Sequence, residues 1–148
     1  MGRLSVLTDE NPLIGKAAPD VVLPKTDGTS AGVISSRHGA KAILVFWATW
    51  CPHCYEELGT INENDADIEQ KGIKVILVDV GEATQQVNNY FARRQMKLVS
   101  FVDGNDFMLE AYHLRGVPTL VFIDENGVIR NMTHEFPSDY KNYFSDKN

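Results

Sequence analysis

The feature that most constrains this chain is the run Ala42-Ile43-Leu44-Val45-Phe46-Trp47, apolar at every position and rich in β-branched and aromatic side chains. Strict alternation would mark a strand with one wet face. Its absence predicts a strand buried on both faces, of the kind found in the middle of a parallel sheet. Ala48-Thr49-Trp50 then leads into Cys51-Pro52-His53-Cys54, and Tyr55-Glu56-Glu57-Leu58 continues as a segment with good helix formers. A central strand thus delivers two thiols to the start of a helix.

That placement has chemical consequences. The first N–H groups of a helix lack internal acceptors, and the macrodipole adds roughly half a positive charge there. Thiol pKa values at such positions fall to ~3.5–7.5, against ~8.5 for a free cysteine. Pro52 suits the first helical turn, where its missing N–H leaves no bond unmade. His53 adds a ring that can be cationic or donate a hydrogen bond near the Cys51 sulfur. Cys54 lies one turn later, so the two sulfurs can meet. The reading predicts Cys51 as the exposed attacking thiolate and Cys54 as the more buried resolving thiol. Glu57, one further turn along, can lie beside Cys54 and accept its proton; otherwise Glu56 and Glu57 simply complement the helix dipole.

Two blander readings of the cysteines stay open. A disulfide closing so short a loop would contribute only ~2 kcal/mol, and a chain of 148 residues with 43% apolar content can build its own core. Zinc needs four ligands, yet there are two cysteines in all, and His38, His113 and His134 show no paired spacing. No metal is expected.

The rest of the chain alternates strand and helix patterns. Asp20–Pro24 and the segment to Ile34 flank an Asp27-Gly28 turn and predict a short hairpin, with Pro24 confining the first segment to an edge or strand end. Ser35–Arg37 begin a short helix that Gly39 stops, and His38 is expected at the surface. Residues 52–70 are expected to be helical, weakened by Gly59 and the Asn62–Asp67 stretch. Gly72–Val80 is a second continuous apolar strand, expected to run parallel to the first. Helices are predicted over Glu82–Met96 and Phe107–Leu114, with a short strand or extended connection at Leu98–Val102. Tyr90, Phe91, Tyr112 and His113 are expected in or over the core. Leu120–Asp124 and Val128–Asn131 form a second hairpin around Glu125-Asn126-Gly127, and a last helix starts at Pro137.

The segment Phe46–Cys54 resembles the active-site segment of thioredoxin-like proteins, and the whole resembles the TlpA/ResA-type thiol-disulfide oxidoreductases of the redoxin group. Ile14-Gly15-Lys16-Ala17-Ala18-Pro19-Asp20 is similar to that group's N-terminal motif, and Gly116-Val117-Pro118-Thr119 to its cis-proline loop. Glu57 matches a carboxylate that such members often carry. The resemblance spans about residues 12–135. It implies a thioredoxin-like α/β fold, a central mixed β-sheet flanked by helices with an added N-terminal β-hairpin, in one domain over 1–148 with 1–11 flexible. It also implies a cis bond before Pro118, which packs against the Cys51–Cys54 pair, and a Val117 backbone free to pair with an extended substrate. Thioredoxin's buried aspartate, six residues before its first cysteine, is replaced here by Val45, so Glu57 is the available substitute. The Pro-His dipeptide also resembles DsbA-type oxidants, but the 66 residues between Cys51 and Pro118 leave no room for their helical insertion domain.

The resulting expectation is a thiol-disulfide oxidoreductase, more a reductase than an oxidant, with catalytic Cys51, Cys54 and Glu57. Trp50, Pro52 and His53 form the site's environment, and Val117, Pro118 and Thr119 bind substrate. Its partners are a disulfide-bearing protein and a separate thiol electron donor, membrane-bound or not; it needs no cofactor and acts as a monomer. Two rivals exist. A peroxide reductase of the same group would carry Thr or Ser at Ala48 and Pro at Leu44. A copper-delivery module would space its cysteines by three residues and add a distant histidine. The charge of −6 and pI of about 5.1, without a basic cluster, make nucleic acid an unsuitable partner. Residues 1–11 are too polar for a signal peptide. The chain is therefore cytoplasmic, or extracytoplasmic with its export signal or anchor outside this sequence; the resemblance favours the second.

Overall fold

In a computed structural model, residues 11–145 are described. A five-stranded sheet has the order β5-β4-β3-β6-β7, where β3 (Lys41–Trp47) is central, β4 is Ile73–Val80, β5 Phe101–Asp103, β6 Thr119–Ile123 and β7 Ile129–Thr133. β3 pairs parallel with β4 and antiparallel with β6, so that Val45 lies between Leu77 and Leu120. A separate antiparallel hairpin joins β1 (Val22–Pro24) to β2 (Ser30–Gly32), with Pro24 at the strand end. The sheet is mixed and the hairpin is present, as the family resemblance implies.

The apolar run divides between two cores. Ile43, Val45 and Trp47 face one side with Leu58 and Ile61 of α1 (Pro52–Glu63), Ile68 of α2 (Asp65–Gln70) and Val87, Tyr90 and Phe91 of α3 (Thr84–Arg93). Ala42, Leu44 and Phe46 face the other with Leu23, Val33, Tyr112 and Met108 of α4 (Phe107–Ala111). A strand that is covered twice has no use for polar positions, which explains the unbroken hydrophobic pattern.

Several elements are shorter than their patterns predict, and local chemistry explains each. The expected 52–70 helix breaks at Asn64 (φ −100°, ψ 7°), whose side-chain amide donates back to the Thr60 carbonyl at 2.8 Å. The helix predicted over Glu82–Met96 starts only at Thr84, because Ala83 is extended (φ −86°, ψ 150°), and ends before Gln95 (φ 55°). Leu98–Ser100 take the extended alternative and β5 begins at Phe101: Thr26 N–H donates to the Ser100 carbonyl at 2.9 Å, and Ser100 N–H donates to Thr26 Oγ1 at 3.0 Å. α4 ends three residues short of Leu114 near left-handed His113 (φ 53°), which is exposed rather than covering the core. The last helix reduces to a 3₁₀ turn at Tyr140–Tyr143, where Phe122 packs on Tyr143 and Phe144 at centroid distances of 5.2 and 5.5 Å. Ser35–Arg37 is likewise a 3₁₀ turn, and His38 is exposed, as expected.

Phe46 is fully buried and its ring lies 5.4 Å from that of Tyr112. Phe46→Ala is expected to destabilise the protein by about 3–5 kcal/mol, read as a lowered denaturation midpoint at unchanged slope.

Candidate active site

The C-terminal end of β3 runs through Ala48-Thr49-Trp50 into α1, with Cys51 as its N-cap (φ −102°, ψ 105°) and Pro52 as its first residue. The Cys51 sulfur takes the place of a capping oxygen and accepts the Cys54 N–H at 3.1 Å. Opposite lies the loop before β6, where the Val117–Pro118 bond is cis, in agreement with the family resemblance. The Cys51 thiol points at the Val117 carbonyl at 3.8 Å. Both cysteines are unbridged.

One expectation is corrected. Cys51 is buried, with 5% exposure, rather than open to solvent, because the Val117–Pro118 loop and the first turn of α1 close over its sulfur. Cys54 is fully buried, more so than Cys51, in the expected order. Burial, then the hydrogen bond to Cys51, pushes the Cys54 thiol far above its ordinary range, and the charges of Cys51 and Glu57 add to the effect. Two unlike thiols result: Cys54 holds its proton, while the Cys51 sulfur accepts the Cys54 N–H at a helix tip.

Around the pair, Trp50 is 68% exposed and forms an apolar flank. The His53 ring turns Nδ1 toward Glu56 Oε1 at 3.3 Å and is largely solvent-exposed. Glu57 is buried, and its Oε1 accepts the Phe136 N–H at 2.6 Å, which ties α1 to the segment after β7. An accessory cleft of about 390 Å³ runs along the cis-proline loop and is lined by His53, Arg115, Val117, Pro118 and His134. Thr119 is buried and donates its hydroxyl to the Gly116 carbonyl at 2.7 Å; His134 Nδ1 lies 3.1 Å from the Pro118 carbonyl. The cysteines, Trp50, Pro52, His53, Val117 and Pro118 therefore meet in this loop–helix–loop region, with Glu57 and Thr119 just behind it. Among the described residues, no cluster of three or more His, Cys, Asp or Glu side chains is arranged to hold a metal ion.

A profile of the AhpC/TSA family matches residues 14–132. The chain belongs to the AhpC/TSA family. Within it, the chain is 31% identical over 119 residues to the thiol-disulfide oxidoreductase ResA of Geobacillus thermodenitrificans, a match covering 80% of this chain and 68% of that one. Two solved structures are similar at 27% identity. A Chlorobium tepidum protein assigned as a thiol:disulfide interchange protein DsbE gives a TM-score of 0.75, covering 87% of this chain and 91% of its own. The exposed lipoprotein thioredoxin Etrx1 of Streptococcus pneumoniae gives 0.70, covering 81% and 92%. This member of the family is thus a thioredoxin-like oxidoreductase of the thiol-disulfide type.

Sequence reasoning missed one part of the site's surroundings. Just past β4, Glu82 reaches across to the thiol loop and accepts the Thr49 N–H at 2.9 Å and the Thr49 hydroxyl at 2.6 Å, with Gln86 Nε2 at 3.0 Å. Beside it, Asp79 is fully buried and meets no hydrogen-bond donor at either oxygen among the described residues. Contact between these two carboxyls becomes a hydrogen bond only if Asp79 keeps its proton and donates it to Glu82. Burial, then that bond and the charges of Glu82 and Asp103, pushes Asp79 up to about 10. Burial opposes the Glu82 anion, but the bonds from Asp79 and Thr49 outweigh it and hold Glu82 below the ordinary carboxylate range. The signal in the sequence was Val-Asp-Val in an otherwise apolar strand.

An aspartate in an unfolded chain ionises near pH ~3.9. Below that value both states of the protein hold the proton and Asp79 costs nothing; above it only the folded state does, so stability falls as pH rises towards about 10. Asp79→Asn removes that proton uptake. It is expected to raise stability at pH ~7 by a few kcal/mol, and to flatten the decline in melting temperature on the alkaline side.

Proposed function

We propose that the protein reduces disulfides in protein substrates through the Cys51-Pro52-His53-Cys54 dithiol. The observation that carries this reading is the asymmetry of the two sulfurs: one is an N-cap receiving an N–H and facing the cis-proline loop, the other is sealed and protonated. Cys51 thiolate attacks one sulfur of the substrate disulfide; a Cys51–substrate bond forms, the substrate S–S bond breaks, and the departing thiolate takes up a proton. Cys54 then loses its proton and attacks the Cys51 sulfur. The Cys51–Cys54 bond forms and the substrate leaves with two electrons. A separate thiol donor reduces the protein again.

Glu57 serves as the proton acceptor for Cys54 in the second step, supported by its burial and by its charge acting on that thiol. Trp50 and the cleft beside Pro118 hold the substrate segment, and the Val117 backbone is its pairing edge. In the described state the Val117 carbonyl faces the Cys51 thiol, so a substrate strand takes over an acceptor already turned towards the sulfur. Thr119 fixes the loop through its bond to Gly116. The protein works as a one-domain monomer outside the cytoplasm, a reading supported by the similarity to an exposed lipoprotein thioredoxin. No helix among the described residues is long and apolar enough to cross a membrane. A peroxide-reducing role is disfavoured by Ala48 and Leu44, both buried and apolar where that chemistry places a hydroxyl and a proline.

In the reduced protein, alkylation at pH ~7 is expected to modify Cys51 and spare Cys54, as read by peptide mass spectrometry. Cys51→Ser should abolish insulin-disulfide reduction, and Cys54→Ala should trap a mixed disulfide visible on a non-reducing gel. Glu57→Gln should slow release of that adduct by roughly 10²-fold while leaving the first alkylation rate nearly unchanged. Stoichiometric copper binding by the reduced protein without disulfide exchange would overturn the reading in favour of a metal carrier.

A further inference from the structure

Asp79 is not part of the mechanism above, yet its position is costly. It stands on β4 opposite Trp47 of the central strand, with both oxygens buried and no donor to meet them among the described residues. The titratable groups acting on it are Glu82, from the turn after its own strand, and Asp103, from β5; both are acids, and no cation among the described residues offsets them. Asp103 is fully engaged elsewhere: its carboxylate accepts the Phe107, Met108 and Leu109 N–H groups at 2.9, 2.7 and 3.3 Å, which caps α4. Glu82 is the remaining acceptor for an Asp79 proton. Its own oxygens reach Thr49, two residues before Cys51, and the Cys51 N–H in turn donates to the Ala48 carbonyl at 3.3 Å.

We propose that Asp79 is a positioning residue of the thiol loop: as a neutral acid it donates its proton to Glu82, and that bond aims the Glu82 carboxylate at Thr49 and so sets the loop that carries Cys51. Loss of the proton places a second anion against Glu82 in a buried site. Like charges so close do not share a buried site, and Glu82 swings off Thr49. The loop then gives up an N–H bond and an O–H bond at once, and the Cys51 sulfur shifts relative to the Val117 carbonyl and the helix tip. A neutral amide would fill the same space without proton uptake, so the acid carries a stability cost that a passive strand residue would not need. On deprotonation at alkaline pH the proton passes to solvent hydroxide; no electron moves and no covalent bond other than that O–H changes.

The proposal rests on Cys51 being the attacking thiol, and two measurements keep the questions apart. Difference infrared spectroscopy of the intact protein against Asp79→Asn reads the carbonyl band of a protonated carboxyl at pH ~7; this needs no thiol chemistry. The Cys51 alkylation rate is then followed from pH ~7 to ~11, beyond the range in which an ordinary thiol ionises. The expected result is a protonated-carboxyl band that the variant lacks, together with a second, several-fold step in alkylation rate near the Asp79 transition that is absent from Asp79→Asn. No such band, or identical rate profiles for the two proteins, overturns the proposal. A Cys51 that fails to alkylate at any pH overturns the disulfide-exchange reading instead, and the infrared band still reports on Asp79.

Discussion

β3 is held on all four sides. Its backbone bonds to β4 and β6 along its edges, and its side chains alternate between two apolar layers. From Ala42 to Trp47 it is buried, so its polar chemistry has to begin where the strand stops. That point is the C-terminal edge of the parallel β3–β4–β5 portion, where the chain turns into α1 and where open α/β sheets present reactive groups. The thiols, Thr49, Glu82 and Asp103 all gather at this edge. Every feature of the site follows from a strand that cannot be shifted in register without moving an entire hydrophobic set to the wrong layer.

Fixing the strand also fixes the difference between the thiols. Cys51 belongs to the loop and caps the helix with its sulfur; Cys54 belongs to the helix and is driven into the core beside Leu58. The same dithiol on an exposed helix would give two similar cysteines. Here one sulfur accepts the Cys54 N–H at the helix tip and the other is kept protonated by burial, which matches the order in which disulfide exchange uses them.

Much of this was legible from residues alone. The Ala42–Trp47 run named the central strand, and the Cys-Pro-His-Cys segment named the helix start and the thiols. The second hairpin around Gly127 also lies where its pattern put it, with Asp124 Oδ1 accepting the Asn126 and Val128 N–H groups at 2.9 and 3.0 Å. What local pattern left open or misplaced shares a cause. Leu98–Ser100, open between strand and extended connection, answers to Thr26, 74 residues before Ser100; Glu82 reads as a helix start but its carboxylate serves Thr49. Side chains used at a distance look locally like helix or strand formers.

Periodicity and the helix-start chemistry of two cysteines determined, by themselves, that this chain is an α/β protein with a dithiol at the end of its central strand. Only the tertiary structure decided how covered Cys51 is, that Glu57 is tied to the Phe136 amide, and that Asp79 is buried beside Glu82 with no donor to its oxygens among the described residues. The reason is physical. Hydrophobic pattern and backbone caps act over a few residues and are written in local order, whereas burial, desolvation and charge coupling depend on which distant segments close over a group.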